Sequence, residues 1–588
     1  MEEREKKYME TILALKKPQP LSLGSELERQ AILQPEHPAL IFGERIISYE
    51  QFNRMANQYA NFFAQQGLKK GDVVALLMEN RPEYLIALSG LSKLGVIVSL
   101  ITNVLRGERL SHAINVSEAR AIILGHELIS VFNSIENIIR LKSPGLIFVE
   151  SEGGQVDIPA NMQDLNPLIA VSADSNPDTT AKINSNDIVA YMSTAGSTGL
   201  RKLIPVLHKR WLLTGNQVAM VGEMTPETIQ YMCLPLYYNP GLNVCFASMM
   251  VSGGSMVIKE KFSVSKFWDD IRRHRVNFFM SVGEMLRYLC ESEEKPDDID
   301  NPLETVMGNG TRGDVLLALR RRFGIKRIIE VYGTTEGIGA FINEGEIAGM
   351  CGNLSLHGMR QGEVIEYDHI NDKIIRGEDG LAIRCKPGQS GLLIAEINEL
   401  NEFSGYLNEP EATEARILKD IIFKGDRYFN TGDMVQLHEG DYISFIDRLG
   451  NTYRWKSKTV SADQVSDVIN KFFGSIEESF VYGVKIPGME GRCGMAALEL
   501  IEDVPMDWKG FIEHINKRMP PHARPIFLRI FKRVDPFEFR IIKHKLQQEG
   551  FNPQRIKEPL YFLDPGKDAY VPLNLEIYDD IIQHRIRF

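Results

Sequence analysis

The sequence predicts an α/β protein built from more than one domain, and three observations support this prediction. Its 588 residues exceed what a single hydrophobic core usually organises. Helical and strand patterns alternate in the first part of the chain, whereas the elements become shorter and more mixed after about Asp447. That final part has roughly 140 residues, an ordinary domain size. We therefore expect a large first domain over residues 1–446 and a smaller second domain over residues 447–588.

The alternation is clearest near the start of the chain. Residues 48–67 (SYEQFNRMANQYANFFAQQG) have helical spacing and end on Gly67, which suits a helix C-cap. Residues 72–78 (DVVALLM) have the pattern of a buried strand, residues 82–95 that of a helix, and residues 96–101 (VIVSLI) that of another strand. Strand, helix and strand in this order predict a parallel α/β unit.

Later segments add surface loops and the elements of the second domain. Residues 151–186 are rich in Asp, Asn, Ser and Pro, which indicates a surface excursion and not a core, and residues 291–302 form an acidic loop. In the second domain, two segments have strand patterns and two have helical patterns. The strands are residues 450–455 and 480–486, and the helices are residues 461–474 and 507–519.

Composition and charge narrow the class of protein. The 78 acidic and 67 basic side chains give a net charge of −11, which argues against nucleic acid as a partner. The basic run at residues 319–327 is best interpreted as the solvated face of a helix. Six scattered cysteines without metal-ligand spacing predict free thiols in a reducing cytoplasm. The charged N-terminus lacks the apolar core of a signal peptide, and no stretch of about 20 apolar residues could span a bilayer.

Residues 193–202 (STAGSTGLRK) form a small, hydroxyl-rich and glycine-rich segment that ends in lysine, as phosphate-binding loops do. A Walker A loop is excluded, because Lys202 is followed by leucine instead of serine or threonine. A dinucleotide-binding fold is a second alternative. Residues 308–313 (GNGTRG) match GxGxxG between a strand-like and a helix-like segment, and Glu330 lies twenty residues beyond Gly310. That motif, however, lies mid-chain, well past the start of the α/β pattern.

The third alternative is a family resemblance. The loop resembles the Tyr-Thr-Ser-Gly-Thr-Thr-Gly-x-Pro-Lys signature of the adenylate-forming enzymes. Four further motifs of that family follow in the right order: CLPLYYNPG at 233–241, VYGTTEG at 331–337, YFNTGD at 428–433 and DRLGNTYRWK at 447–456. Segments such as LRGERL, GNGTRGDV, ARPIFLRI and EGFNP are similar to the fatty acid transport protein and very-long-chain acyl-CoA synthetase branch. The resemblance covers nearly the whole chain from about residue 38.

This resemblance implies both a fold and a reaction. The fold has a large N-terminal domain of parallel α/β layers with a small β-barrel-like part, followed by a small, mobile α+β C-terminal domain that rotates about a hinge near Asp447. In the reaction, a fatty acid carboxylate attacks the α-phosphate of ATP to give acyl-AMP and pyrophosphate, and the thiol of coenzyme A then displaces AMP. The implied cofactors are ATP, Mg²⁺ and CoA. A peripheral membrane contact and a homodimer are left open.

The resemblance also assigns nucleotide-site residues. Backbone and hydroxyl groups of the loop would wrap the β- and γ-phosphates, Lys202 would add a positive charge, and Gly308, Asn309 and Gly310 would edge the adenine pocket. Tyr332, next to Gly333 and Thr334, would stack on adenine, Thr335 would bond the α-phosphate, and Glu336 would hold Mg²⁺. Asp433 would bind both ribose hydroxyls with help from Arg448, and Lys456 and Ser457 would lie against the pantetheine of CoA. The loop residues are Thr194, Gly196, Ser197, Thr198 and Gly199.

The same resemblance points to an acyl pocket for a long chain. Short-chain members of the family place tryptophan at the position of Gly333, so glycine leaves room there. The segment at residues 276–284 (VNFFMSVGE), with Met280, Val282 and Gly283, would supply an apolar wall, although its pattern also suits a simple buried strand. Tyr238 occupies a position where the branch often has histidine, and it would gate the pocket.

Several positions depart from the family pattern. Ala195 stands for the usual serine of the loop, and Ser457 stands for a glycine beside the CoA path. Near the C-terminus, residues 535–545 (DPFEFRIIKHK) place Arg540 where the branch has its adenylation lysine, with Lys543 matching another basic site. Three alternatives stay open: Arg540 substitutes, Lys543 takes over, or adenylation is weak. Two further functions also stay open, a nucleotide- and lipid-binding protein with little turnover, and an acyl-adenylating enzyme with an acceptor other than CoA.

Overall fold

The computed structural model describes most of the chain, and all structural statements below concern these residues. They are residues 2–142, 146–151, 156–194, 202–283, 285–311, 313–356, 358–368, 373–449, 452–455, 458–472, 475–489, 491–501, 504–531, 546–547 and 549–586.

The helices are distributed along the whole chain, with a π-helical turn at Pro240–Phe246. They are α1 (Glu2–Leu15), α2 (Leu23–Leu33), α3 (Tyr49–Gln65), α4 (Pro82–Lys93), α5 (Gly107–Val116), α6 (Ile129–Asn133), α7 (Leu165–Ala170), α8 (His208–Val221), α9 (Ala247–Ser252), α10 (Val264–Arg273), α11 (Met285–Glu291), α12 (Gly313–Phe323), α13 (Pro410–Glu414), α14 (Ala462–Asn470), α15 (Trp508–Arg518) and α16 (Leu575–Ile582).

The strands fall into four larger sheets and a few short hairpins. They are β1 (Pro38–Phe42), β2 (Arg45–Ser48), β3 (Val73–Leu77), β4 (Ile97–Leu100), β5 (Ala121–Gly125), β6 (Ile147–Glu150), β7 (Gln163–Asp164), β8 (Ile188–Ser193), β9 (Leu203–Leu207), β10 (Ile229–Met232), β11 (Ser255–Ile258), β12 (Phe278–Val282), β13 (Thr305–Asn309), β14 (Arg327–Gly333), β15 (Ala340–Asn343), β16 (Gly352–Asn353), β17 (Ser355–Leu356), β18 (Met359–Arg360), β19 (Gly362–Ile365), β20 (Tyr367–Asp368), β21 (Lys373–Ile374), β22 (Ser390–Glu396), β23 (Ile417–Lys419), β24 (Arg427–Leu437), β25 (Tyr442–Arg448), β26 (Thr452–Trp455), β27 (Lys458–Ser461), β28 (Ile476–Val484), β29 (Cys493–Leu500), β30 (Phe527–Ile530), β31 (Leu560–Asp564) and β32 (Ala569–Pro572).

The first large sheet contains the predicted parallel unit. Its strand order is β7-β6-β5-β3-β4-β8-β9, and β3 and β4 pair in parallel on either side of α4 in sequence. The preceding helix, α3, begins at a capping box in which Ser48 and Gln51 each accept a hydrogen bond from the other's backbone N–H. It ends near Gly67, whose φ of +79° suits glycine, as predicted.

The second large sheet aligns the strands that lead to the candidate site. Its order is β15-β14-β13-β12-β10-β11-β1-β2, with β12, β13 and β14 parallel to one another. The registers pair Ser281 with Gly308 and Gly308 with Glu330. Because parallel strands end at one edge of a sheet, the segments that follow β12, β13 and β14 lie side by side.

A third, antiparallel sheet follows in the order β16-β25-β24-β22-β19, with β23 also paired to β24. Strand β24 pairs with β25 so that Asp433 lies opposite Arg448. Asp447, the predicted hinge residue, lies in β25 with its backbone paired to Met434. The hinge itself and the boundary at residues 446 and 447 stay predictions.

The C-terminal part has its own hydrophobic core, formed by buried residues between Tyr453 and Ile581. Its sheet has the order β28-β29-β30-β31-β32, and the predicted strands and helices correspond to β26, β28, α14 and α15. Together with the two largely parallel sheets before it, this confirms the predicted α/β fold class with an α+β C-terminal part. In the basic run at 319–327, Arg320 and Arg321 are exposed, as its interpretation as a solvated helix face predicts, whereas Arg322 is mostly buried in an ion pair with Asp298.

The polar excursion at residues 151–186 is less peripheral than predicted. Leu165 and Ile169 are buried in the largest hydrophobic core. The excursion is anchored by Asn176, whose side-chain oxygen accepts hydrogen bonds from Asn53 (2.9 Å) and Asn57 (2.8 Å) of α3. The composition of this segment did not indicate the anchor, because its partners lie more than a hundred residues earlier.

Beneath this anchor lies a fully buried lysine, Lys93. Its ammonium donates hydrogen bonds to Glu28 (2.8 Å), Asn53 (2.7 Å) and Asn57 (2.6 Å). Burial lowers the pKa of Lys93 to about 8, although the carboxylate of Glu28 works in the opposite direction. Lys93 therefore joins α2, α3 and α4 through one cation.

Replacing this cation is expected to destabilise the protein. Lys93→Met keeps the length of the side chain but leaves the oxygens of Glu28, Asn53 and Asn57 without their donor, so the free energy of unfolding should fall by about 3 kcal/mol. Denaturant titration measures this. Lys70→Met, which removes the half-exposed partner of Asp187, is the control and should cost less than about 1 kcal/mol. Equal losses in the two variants would contradict the structural role of Lys93.

Candidate active site

Of the predicted phosphate-binding loop, the structure describes only residues near its two ends, Thr194 and Lys202 among them. Thr194 follows β8 and is buried, and its backbone N–H donates a 2.8 Å hydrogen bond to the carbonyl of Lys202 just before β9. This bond joins the two described residues that flank positions 195–201. The predicted phosphate ligands Gly196, Ser197, Thr198 and Gly199 lie outside the described residues.

Lys202 is joined to the predicted metal ligand through an aromatic side chain. The Lys202 Nζ lies 5.1 Å from the centre of the Tyr406 ring, within cation–π range. The Tyr406 hydroxyl donates a 2.7 Å hydrogen bond to Oε1 of Glu336. Three segments that are distant in sequence therefore meet at Tyr406.

The turn that carries Thr335 and Glu336 is fixed from two sides. Arg210, in the first turn of α8, donates hydrogen bonds to the backbone carbonyls of Thr335 (3.2 Å) and Glu336. Gly337 has a φ of +69°, and a Cβ there would overlap the Arg210 guanidinium. The Thr334 hydroxyl bonds the backbone of Ile338 within the turn (3.1 Å to its carbonyl). Burial lowers the pKa of Arg210 to about 10, so the guanidinium is charged at neutral pH.

A second cluster forms around Asp433, which is buried on β24. Its Oδ2 accepts a 2.5 Å hydrogen bond from the Tyr332 hydroxyl, and its Oδ1 accepts a 2.9 Å bond from Nε of Arg448. Burial, and then the charge of Asp433, raise the pKa of Tyr332, so that this hydroxyl stays a donor. Burial acts to lower the pKa of Arg448, but the Asp433 carboxylate outweighs it and the pKa is raised. The cluster holds the Asp433 carboxylate in one orientation.

The glycines at the end of β13 have backbone reasons for being glycine. A Cβ at Gly308 would collide with the Ser281 hydroxyl on the neighbouring strand, and Gly310 has a φ of +81°. Asn309, between them, is paired with Val282. Gly308 is therefore required by the close approach of β12, and Gly310 by its left-handed backbone conformation.

Glu330, two residues before Tyr332 on the same strand, is an additional feature of this edge. It is buried, its Oε2 accepts a hydrogen bond from the Thr311 N–H (3.2 Å), and its Oε1 has no partner among the described residues. Burial raises the pKa of Glu330 to about 7, which the hydrogen bonds from Thr311 and Gly310 only partly offset. Sequence analysis considered this residue only for the dinucleotide alternative.

Glu330 is expected to make stability depend on pH. The pKa of Glu330 rises from an ordinary 4.5 in the unfolded chain to about 7 in the folded protein. Its contribution to the free energy of unfolding is therefore fully present below pH 4.5. About 3 kcal/mol of it is lost as the pH rises through 7. Glu330→Gln should therefore gain stability over the parent between about pH 5 and pH 8.5, measured by denaturant unfolding. The exposed Glu304→Gln is the control and should show no such trend. A parent–variant difference that is independent of pH would contradict this assignment.

Three of the five residues predicted for an acyl pocket share one hydrophobic core. Met280 is buried in the largest hydrophobic core, and Val282 and Tyr238 pack against the same core. Tyr238 precedes the π-helical turn, a local irregularity that is frequent at functional sites, and its ring lies 4.7 Å from that of Tyr237. Gly283, at the end of the strand, has a φ of +60°. Gly333 is exposed, and a Cβ there would have no described atom within 4 Å.

The remaining predicted residues lie outside the described part of the chain. They are Lys456 and Ser457 of the predicted CoA loop, and Arg540 and Lys543 of the predicted adenylation segment. A cavity of about 360 Å³ lies elsewhere, between α1, α2, α8 and α9. Its only charged lining residue, Arg29, is paired with Glu26, so this cavity offers no free cation for phosphate chemistry.

Sequence analysis missed Tyr406 and Arg210, the two residues that hold Glu336. Tyr406 lies in the segment FSGYLNEP, whose aromatic and glycine residues signal only a packed turn. Arg210 stands at a helix start, where a cation has no obvious role. Their function depends on contacts with distant residues, so no local pattern identifies them.

The chain is similar to known proteins over most of its length. Residues 27–358 match the family described as "AMP-binding enzyme". Long-chain fatty acid transport protein 2 of Rattus norvegicus is 34% identical over 563 residues, covering 95% of this chain and 90% of the relative. A medium/long-chain-fatty-acid–CoA ligase, FadD6 of Mycobacterium tuberculosis, is 30% identical, covering 95% and 91%.

Solved structures show the same fold at lower identity. The anthranilate CoA ligase AuaEII, in complex with anthranoyl-AMP, matches with a TM-score of 0.71 and 19% identity, over 89% of this chain and 96% of that one. O-succinylbenzoate coenzyme A synthetase of Bacillus subtilis, in complex with ATP and magnesium ion, matches with a TM-score of 0.68 and 20% identity, over 88% and 97%.

The chain belongs to the AMP-binding, adenylate-forming enzymes, and within them to the branch of the long-chain fatty acid transport proteins and their acyl-CoA ligase relatives. This membership leaves the dinucleotide-binding alternative without support. All six cysteines lie in described segments and are free thiols, as expected. Among the described helices, none has the length and apolar character needed to cross a membrane.

Proposed function

We propose that this protein is an ATP-dependent, AMP-forming ligase that converts long or very long fatty acids to their CoA thioesters. The observation that carries this proposal is that three separate motifs are linked by side-chain contacts. Lys202 and Glu336 meet at Tyr406, and Asp433 accepts a hydrogen bond from Tyr332, which lies in the same motif as Glu336. An adenylation site requires three such groups: a cation, a carboxylate near the turn at Thr335, and an oriented carboxylate that binds the two ribose hydroxyls. The family membership and the fatty acid relatives support the same reading.

The donor set also suits Mg²⁺. Glu336 offers Oε2, which has no hydrogen-bond partner among the described residues, and Thr335 beside it supplies a hydroxyl. The described residues contain no group of three or more His, Cys, Asp or Glu side chains that could hold a metal alone. One carboxylate completed by phosphate oxygens is a usual arrangement for Mg²⁺, which would neutralise phosphate charge when bound with ATP.

The chain's own residues then account for the first half-reaction. In this step the fatty acid carboxylate forms a bond to the α-phosphorus, and the bond from the α-phosphorus to pyrophosphate breaks. Lys202 would bind the phosphates and stabilise the negative charge that develops on them. Asp433 would orient the ribose through its two hydroxyls, and Tyr332 would hold the adenine face. In the second half-reaction the CoA thiol attacks the acyl carbonyl, and AMP leaves. Gly333, Met280, Val282 and Tyr238 would line the path of the acyl chain.

Two sequence departures support two alternative functions. Arg540 in place of the expected lysine favours slow adenylation, because a charged hydrogen bond at a fitted site is worth about 1.5–3 kcal/mol, or roughly ten- to a few-hundred-fold in rate. Ser457 favours an acceptor other than CoA. The alternatives are a binding protein with little turnover and an enzyme that releases its acyl-AMP to another acceptor.

Pyrophosphate release from ATP separates these functions. It is measured with a panel of fatty acids, with and without CoA, for the parent and for Lys202→Ala, Arg540→Ala and Arg540→Lys. Release that depends on the acid and increases with CoA would support the ligase. ATP binding without release from the parent would overturn it in favour of the binding protein, and acyl-AMP accumulation in the presence of CoA would indicate a different acceptor. A faster Arg540→Lys variant would show that arginine limits adenylation.

A further inference from the structure

We infer that Tyr406 is a positioning residue that prepares Glu336 and Lys202 for Mg·ATP. This inference rests on the proposed function and deepens it. It concerns a residue outside the family motifs quoted above, whose side chain contacts two predicted site residues at once.

The first step of the argument is the hydrogen bond to Glu336. The Tyr406 side chain is almost buried, with 8% of its surface exposed, and its hydroxyl lies 2.7 Å from Oε1 of Glu336. A phenol O–H donates to a carboxylate oxygen, which has no hydrogen of its own to give, so the Tyr406 hydroxyl is the donor of this pair. One oxygen of Glu336 is held, which leaves Oε2 to be presented in a fixed direction.

The second step is the contact with Lys202. The flexible lysine side chain lies against the Tyr406 ring, with Nζ 5.1 Å from the ring centre. The backbone keeps these two segments together, because the Leu407 N–H donates a 2.8 Å hydrogen bond to the carbonyl of Leu203. Phe403 packs against the Tyr406 ring in a T-shaped arrangement, with centroids 5.5 Å apart. The ring is therefore a fixed platform for the lysine and not a mobile surface side chain.

The third step joins the two contacts. Lys202 and Glu336 are linked through Tyr406, and no direct ion pair joins them among the described contacts. Tyr406 satisfies the carboxylate by a hydrogen bond and the ammonium by a ring face, so neither group neutralises the other. The conformational entropy of the Lys202 and Glu336 side chains is therefore lost during folding and not during ATP binding.

The test measures binding without turnover, using the parent enzyme and Tyr406→Phe. Phenylalanine keeps the ring beneath Lys202 and removes only the hydroxyl. Calorimetric binding of α,β-methylene-ATP is followed over a series of Mg²⁺ concentrations. We expect the Mg²⁺ concentration for half-maximal binding to rise about ten- to a hundredfold, which corresponds to the loss of one charge-assisted hydrogen bond. Binding at saturating Mg²⁺ should change much less.

Tyr231→Phe is the matched control. Tyr231 is also buried and also donates its hydroxyl to a carboxylate, Oδ2 of Asp270 at 3.0 Å, but on β10, away from the site. Its Mg²⁺ dependence should equal that of the parent. A double variant with Glu336→Gln provides a second readout: because Tyr406 acts through Glu336, Tyr406→Phe should add little to Glu336→Gln.

The outcomes separate this inference from the proposed function. Unchanged or tighter Mg²⁺ dependence in Tyr406→Phe would overturn the inference, and the tighter result would mean that the hydroxyl restrains Glu336 from the metal. Full additivity with Glu336→Gln would also overturn it. The proposed function fails if the parent binds α,β-methylene-ATP but releases no pyrophosphate from ATP with any fatty acid. In that case the Mg²⁺ titration with the analogue still decides the role of Tyr406.

Discussion

Asp433→Ala is expected to lower kcat/KM for ATP by about two to four orders of magnitude. In the proposed function its carboxylate accepts both ribose hydroxyls, and each hydrogen bond to a charged group contributes about 1.5–3 kcal/mol. The structure shows how this carboxylate is oriented. Tyr332 and Arg448 donate to its two oxygens at 2.5 and 2.9 Å, which fixes the plane of the carboxylate before ATP binds. Asp433→Asn should fall between the parent and the alanine variant.

A matched aspartate controls for loss of folding. Asp426 is buried to a similar degree, and its two oxygens accept N–H groups of Ile421, Ile422 and Phe423 in the loop before β24. Asp426→Asn should lower the free energy of unfolding without raising KM for ATP. Steady-state kinetics with ATP as the varied substrate, together with denaturant unfolding, measure both effects. If Asp433→Ala lost only stability and kept its KM, Asp433 would not be the ribose ligand.

Gly333→Trp should invert the preference for acyl chain length. A Cβ at Gly333 meets open space among the described residues, and the position is exposed at the end of β14. An indole placed there would fill the proposed acyl path. Each methylene buried in an apolar pocket contributes about 0.8 kcal/mol, so excluding even four of them should lower kcat/KM for a C16 acid by about a hundredfold or more. Activity with a C2 to C4 acid should fall little or rise.

Gly333→Ala controls for the change of backbone. Its Cβ fits without contact, and the φ of Gly333 lies outside the left-handed region, so alanine should be tolerated and should leave the chain-length profile unchanged. The profile is measured as pyrophosphate release across acids of increasing length at fixed ATP. A tryptophan variant that loses activity equally with short and long acids would show that the acyl path does not pass Gly333.

The sequence alone was sufficient for the fold class and for most local elements. The unit β3–α4–β4, the capped helix α3 and the elements of the C-terminal part follow from periodicity and end signals, which depend on neighbouring residues. The family itself follows from five short motifs in a fixed order. The roles of the individual site residues stay predictions, and for Arg540, Lys543, Lys456 and Ser457 the described residues add nothing.

Only the tertiary structure decided which side chains act together. Tyr406 meets a carboxylate 70 residues away, and Tyr332 meets Asp433 across 101 residues. Hydrophobic periodicity reports which face of an element is buried, but it carries no information about which distant element covers that face. The sequence could therefore predict Asp433, Glu336 and Lys202 as site residues, each from its own motif. Their partners Arg210 and Tyr406 became visible only when β14, β24 and the start of α8 were brought together by packing.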